Sequence, residues 1–422
     1  MAILKPFEGV RYNTKVAGDI NTLVSPPYDV INEEERKYYH ELNDYNFIRL
    51  ILGEEFDSDT DDNNRFTRAG NYYREWKENS VMTKDIPSIY LYQQDFILNG
   101  NQCIVNGLIS SVKICEYSEN VILPHENTLA KPKGALEATI ENTKANLDCV
   151  YGLYADKDFD LKIKVMDKYL SKTPDIDATD KDGNHHRLWV ISDGEDIKTV
   201  CDFMADKQIA IADGHHRYET ALKNRNNIRE ENKSSEELPT DYVMMTLVNV
   251  YQKDLLVLPT HRVISNIDQK LINKLVFELE RNFIVEPSKF STLTEDMSGT
   301  KIGLITKNAY YTISKKPEVK IYIDASEYTK KLELTLLHCL ILDELLGIDK
   351  QKLSAQTNVT YTRSLEEANN LVKNGDAQVA FICNDIPVKS ILDIASQGEK
   401  MPQKATYFYP KLLSGLVTRD LV

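Results

Sequence analysis

Closely spaced cysteines are missing from this sequence. Its six cysteines, Cys103, Cys115, Cys149, Cys201, Cys339 and Cys383, stand far apart. A zinc ribbon or a redox C-x-x-C therefore has no foothold. Scattered single thiols suit a reducing compartment, where a buried Cys behaves as a small hydrophobe, so a cytoplasmic location is expected. Long apolar runs are missing too. The most apolar stretch, residues 332–348, is broken by Glu333, His338, Asp343 and Glu344 and is too polar to span a bilayer. The opening MAILKPFEGVR lacks the apolar core of a signal peptide. With 17 Gly and 14 Pro, the chain is neither collagen-like nor of low complexity. Positive charge is short as well: 51 Lys and Arg face 65 Asp and Glu, for a net charge of −14. Such a chain is repelled by bare phosphate backbones, and no basic helix-turn-helix region offsets this, so a nucleic-acid partner is not expected.

What is present is ordinary globular material: 42% hydrophobic and 27% charged residues over 422 positions, enough for two or three domains. The prolines of SPPYDVI hold residues 11–31 extended and turn-rich. A helix is expected over 32–42, and another carries Tyr72, Tyr73 and Trp76 after an acidic loop at 57–64. Residues 88–98 and 102–115 read as two strands joined through Asn99-Gly100-Asn101, a hairpin signal. Strands are expected at 187–192 and 208–212, with a short helix near 197–204 between them. His185 and His186 are expected to open the first of these strands rather than to ligate zinc. A helix beginning near Arg217 gives way to a charged, mobile connector at 226–237. Beyond Pro259 a second α/β texture starts. Ser364 and Glu367 form a capping box, Asn374-Gly375 stops that helix, and 377–383 reads as a strand. Pro387 and Gly398 bracket a last helix. The expected fold class is α/β with mixed sheets, divided into residues 1–265 and a C-terminal α/β lobe at 266–422.

The densest chemistry lies in the run IAIADGHHRYETA, residues 209–221. An apolar strand enters a glycine turn, and the turn enters a helix N-terminus. Such a terminus offers backbone N–H groups and the positive end of the helix dipole, a ready phosphate site. Gly214 lets the backbone approach closely, while His215, His216 and Arg217 add donors. Asp213, at the strand's end, is the candidate Mg²⁺ ligand. A capped helix with two surface histidines is the plain alternative, but the density of polar groups after a buried strand favours function.

This stretch resembles the signature of a widespread prokaryotic family with an ADGHHR motif. The resemblance runs through PFEGVRYN, SPPYDVI, LPHENT, LPTHR and MPQKATYFYPK, nearly the whole chain. The same turn is similar to the DGHxR-type motif of the ParB/sulfiredoxin superfamily, which includes free-serine kinases. That resemblance implies a ParB/sulfiredoxin-like nucleotide-binding core in the first domain. It also implies phosphate ligands at Gly214, His216 and Arg217. His215 stands where sulfiredoxins keep their reactive Cys, which puts sulfinic-acid repair out of reach.

Within Pro124-His125-Glu126-Asn127-Thr128, followed by Lys131 and Lys133, a carboxylate beside a histidine has the makings of a general base. The resemblance to free-serine kinases gives Glu126 that role, with His125 beside it. The Gly134-Ala135-Leu136 continuation lacks the Asp-Arg pair of relatives, and Ala405 replaces a Ser common there. Lys404 and Lys411 in MPQKATYFYPK are placed to reach nucleotide or to pack. Thr260-His261-Arg262 reads more readily as a strand-end cap than as an anion site.

These readings converge on an ATP-dependent kinase, with Mg²⁺, acting on a small hydroxyl metabolite. Free L-serine as the acceptor rests wholly on the resemblance. The nucleotide ligands are expected at Asp213, Gly214, His215, His216, Arg217 and Lys404. A ParB-like nucleotide-binding regulator, or a domain with a decayed site, are the other readings. A homodimer is left open, and no membrane partner is expected.

Overall fold

The computed structural model describes residues 1–126, 131–233, 236–294, 301–323, 325–330, 332–402 and 404–422. The chain divides into two compact units. The first comprises Met1–Pro124, Thr128–Leu255 and Pro410–Val422, and the second His125–Asn127 and Leu256–Tyr409. The sequence drew its boundary at 265 and left residues 410–422 in the second lobe. Contacts instead separate the units after Leu255 and return 410–422 to the first.

The first unit is built on a nine-stranded mixed sheet. Its spatial order is Ile122–Leu123, Ile209–Asp213, Val150–Tyr154, Tyr242–Asn249, Asn101–Lys113, Ile89–Leu98, His185–Ile191 and Ile176–Thr179, with Leu4–Lys5 paired to Asn101–Lys113. Ile209–Asp213 runs parallel to Ile122–Leu123 and antiparallel to Val150–Tyr154. All eight residues of Tyr242–Asn249 are buried, as a central strand covered on both faces requires. The expected hairpin is present. Asn99 and Gly100 take φ of 51° and 78°, the doubly left-handed turn that suits the right-handed twist of the strands it joins. His185 and His186 do open a strand, and His186 is buried between the Tyr92 hydroxyl and Asp180.

Local signals explain the helices. Glu33–Leu42 starts with a complete capping box between Asn32 and Glu35. Arg65–Glu78 buries Ala69, Tyr73 and Trp76, an i, i+4, i+7 face. It also buries Gly70, where a side chain would meet the Asn142 backbone at 2.5 Å. A smaller sheet orders Met82–Lys84, Gly9–Tyr12, Thr418–Asp420 and Ala145–Asn146, so the C-terminal strand is an interior one.

One expectation fails here. The helix after Gly214 begins at His215 and runs to Asn232, through most of the supposed connector. Two of its arginines are paired, Arg225 with Glu116 and Arg229 with Asp241, while Glu230 and Glu231 are exposed. The high charge of this stretch hides a helix because the partners of its arginines, Glu116 and Asp241, lie outside it.

The second unit holds a six-stranded antiparallel sheet. Its order is Phe283–Ser288, Tyr310–Lys315, Ile302–Thr306, Val379–Ile382, His261–Ile264 and Val359–Thr362. Helix Leu365–Asn374 packs Ala368 and Val372 into its core. Ser364 caps it by accepting from Glu367 N–H, and Gly375 ends it at φ 89°. The Glu367 carboxylate accepts from the Thr362 hydroxyl instead of closing the box. Residues 332–348 form a short helix, Glu333–Leu336, that widens into a π-helical stretch, Leu337–Asp343.

Candidate functional site

In the first unit the buried strand Ile209–Asp213 delivers Asp213 to the mouth of a helix. Gly214 turns the chain at φ 84°, ψ 29°, a left-handed conformation that a side chain resists. The i→i−4 ladder then begins with Tyr218 N–H donating to the Gly214 carbonyl at 3.0 Å. His215 is buried, while His216 and Arg217 are half-buried.

Charges converge on this turn. The Lys411 ammonium donates to Asp213 Oδ2 at 3.0 Å, and Arg217 Nη2 approaches the same oxygen at 3.4 Å. Burial by itself would raise the Asp213 carboxyl, but Lys411 and Arg217 outweigh it and hold the group well below the usual carboxylate range. Arg217 Nη1 also donates to the Cys149 carbonyl. Desolvation works against its charge, yet Asp213, Asp148, Asp29 and Tyr28 together keep the guanidinium's pKa above its ordinary value. Lys411 thus comes from the far C-terminus and Tyr28-Asp29 from the N-terminal SPPYDVI motif. Tertiary structure alone brings them together.

The second expected cluster lies in the second unit. Glu126 Oε1 accepts from the backbone N–H of Ala405 at 3.1 Å and of Thr406 at 3.2 Å, and from the Thr406 hydroxyl at 3.1 Å. His125 is fully buried; its Nε2 lies 2.9 Å from the Thr406 hydroxyl, and its carbonyl accepts from Met401 N–H at 2.7 Å. The MPQKATYFYPK segment therefore holds the Glu126 carboxylate in one orientation. Lys404 is exposed, at φ 53°, and its carbonyl accepts from Arg262 Nη2 at 3.2 Å. Of the two lysines in that segment, it is Lys411 that pairs with Asp213. Lys131 and Lys133 carry side chains outside the described residues, as do Asn127 and Thr128.

Arg262 exceeds the strand-end cap expected of it. The residue is completely buried, and its guanidinium donates to the Thr260 carbonyl and the Cys383 thiol as well as to Lys404. Beside it, desolvation pushes His261 down to about 4 and Glu333 up to about 8. Among the described residues no group of three or more His, Cys, Asp or Glu is arranged to hold a metal.

Residues 4–337 match the family described as "Protein of unknown function (DUF1015)". The chain belongs to this family. No curated protein matches it. Among solved structures, a conserved hypothetical protein from Pyrococcus furiosus is 12% identical at a TM-score of 0.38, covering 75% of this chain and 97% of that one. A free serine kinase in complex with AMP is 14% identical at a TM-score of 0.36, covering 72% and 87%. SbnI with a C-terminal truncation, from Staphylococcus aureus, is 9% identical at 0.36, covering 72% and 85%.

Asp148 is a residue no motif singles out, and Lys411 is one whose partner no motif gives. Asp148 follows Leu147 with no motif around it, and no spacing rule connects it to Arg217. Lys411 lies in an aromatic, proline-punctuated segment, and its sequence context leaves it to reach nucleotide or to pack. Neither carries a local signal of its partner.

Proposed function

We propose that this chain is an ATP-dependent phosphotransferase acting on a small hydroxyl metabolite, with free L-serine as the first candidate acceptor and O-phospho-L-serine and ADP as products. The observation that carries the reading is the strand–Asp213–Gly214–helix turn with Lys411 drawn onto it. A helix N-terminus, a left-handed glycine and adjacent cations suit a polyphosphate. Gly214, His215 and His216 are the proposed phosphate contacts, and Lys404 is a further candidate. A ParB/sulfiredoxin-like core is part of the same proposal, on the strength of the sequence motif.

Phosphoryl transfer asks little covalent chemistry of a protein beyond positioning and charge neutralisation. The acceptor oxygen forms a bond to the γ-phosphorus as the bond from that phosphorus to the bridging oxygen breaks, and ADP leaves. The hydroxyl proton passes to a base, and Glu126 is the proposed one, with His125 fixing the Thr406 hydroxyl that orients it. Mg²⁺ fits this chain in a limited way. Asp213 is a single carboxylate with Oδ2 already bonded to Lys411, so the ion would be held chiefly by nucleotide phosphates, as is usual for Mg²⁺. When bound, it supplies charge neutralisation across those phosphates.

The deciding experiment incubates the protein with ATP, or with ADP, and a panel of amino acids and polyols, following nucleotide consumption and phosphorylated product. Turnover with a hydroxyl amino acid is expected. Glu126→Gln should bind nucleotide like wild type and lose about 10²–10⁴-fold in turnover; near wild-type turnover would remove Glu126 from the mechanism. Nucleotide binding without any phosphorylated product would favour a nucleotide-binding regulator.

A further inference from the structure

The first unit holds a cavity of about 50 Å³ that Arg217 helps to line. Asp148, Arg217 and Tyr28 line part of its wall, and Leu136, Ile140 and Val243 are among the apolar residues lining the rest. Mostly apolar walls with a few converging polar groups are the usual make-up of a ligand site. Its volume is small. One water needs roughly 10–15 Å³ on this measure, so the space suits a ligand of only a few heavy atoms.

The polar groups define that ligand's chemistry. Among the described residues the Arg217 guanidinium makes two hydrogen bonds, to the Cys149 carbonyl and to Asp213. A guanidinium carries five N–H donors, so most of its capacity is unspent at the cavity wall. Its planar fork matches a carboxylate. Asp148 stands beside it, next to the Ser414 hydroxyl and near Asp29. Arg217 and Asp148 thus bring a guanidinium and a carboxyl group to the wall of one cavity.

We propose that this cavity is a binding site for a small α-amino acid zwitterion, with Arg217 taking its carboxylate and Asp148 its ammonium, and Leu136, Ile140 and Val243 enclosing a short side chain. Arg217 then reads the amino acid from inside the unit rather than a nucleotide phosphate. That this amino acid is the phosphoryl acceptor rests on the phosphotransferase reading; that the cavity binds it does not.

The test is calorimetric titration of the full chain, without nucleotide, with L-serine, L-alanine, D-glycerate and ethanolamine. Serine and alanine should bind, and glycerate, lacking the ammonium, and ethanolamine, lacking the carboxylate, should each bind about tenfold or more weakly. Asp148→Asn should weaken serine binding by a similar factor. Ile140→Trp, which fills the space from a half-buried helical position, should abolish it while the circular dichroism spectrum stays that of wild type. Equal affinity for serine and for either analogue would overturn the proposal. So would wild-type affinity in folded Ile140→Trp, or absence of binding by any small amino acid at roughly 10 mM. Parallel titration with ATP separates the two readings. ATP binding without amino-acid binding sinks the cavity proposal alone. Serine binding in the expected pattern, with no ATP binding, upholds the cavity and sinks the phosphotransferase.

Discussion

Two carboxyl groups show how neighbours decide what an acidic residue does. Asp213 is held ionised by Lys411 and Arg217 despite its burial. Lys411→Met removes the closer cation from a mostly buried pair, and a loss of about 1–3 kcal/mol at neutral pH is expected in urea unfolding. Because the folded-state pKa of Asp213 is depressed, its contribution is present above the unfolded value of roughly 3.9 and is lost as pH falls below it. The deficit of Lys411→Met should therefore shrink in acid. Glu333 behaves oppositely. Desolvation, reinforced by Asp385 and only partly offset by the Asn384 N–H and Arg262, pushes it up to about 8. A raised folded pKa means that stability is greatest below the ordinary value of 4.5 and declines as pH rises toward about 8, by up to about 1.4 kcal/mol per unit. Urea midpoints should fall between pH 6 and pH 8 in wild type, and less so in Glu333→Gln. An equal fall in both proteins would clear Glu333 of responsibility.

Among the elements, the helix His215–Asn232 depends on its first residue being preceded by glycine. A Cβ at position 214 would sit 2.8 Å from Arg217 Nε, and φ there is 84°. The left-handed conformation costs a non-glycine residue roughly 1–2 kcal/mol. The clash is with the end of a flexible side chain, so Arg217 would move rather than the backbone. Gly214→Ala is thus expected to fold, with a thermal midpoint a few degrees lower. Its affinity for ligands that Arg217 contacts should fall by more than the stability loss suggests. An unchanged thermal midpoint would show that the turn tolerates a side chain. Further along the same helix, which ends at Asn232, Arg225 and Arg229 find acidic partners outside it.

For the whole molecule, the return of the C-terminus matters most. Thr418–Asp420 lies between Gly9–Tyr12 and Ala145–Asn146 in the small sheet of the first unit. Tyr73 donates to Asp420, and the buried Arg419 donates to the carbonyls of Pro239 and Tyr242. A chain ending at Leu255 would lack an interior strand and leave those buried groups unpaired, each at a cost of about 1–3 kcal/mol. It should be insoluble or loosely folded, whereas residues 1–255 joined by a flexible linker to 410–422 should recover cooperative unfolding in circular dichroism melts. Cooperative unfolding of the 1–255 chain alone would show the C-terminal strand to be dispensable.

Signals confined to a few neighbouring residues were legible in the sequence. The Asn99-Gly100 hairpin, the Ser364 cap, the glycine stop at 375 and the strand–Gly214–helix turn all depend on local backbone preference, which travels with the residues themselves. What a charged or catalytic side chain faces was not legible. Lys411 meets Asp213 from 198 positions away, Thr406 meets Glu126 from 280, and Arg262 is buried against Lys404 from 142. Ionisation, satisfaction of donors and enclosure of a cavity are properties of the surroundings. Those surroundings come from segments that the chain brings together only by folding, so motif reading found the turn at 213–217 while tertiary structure decided which cation serves it and what Arg217 can hold.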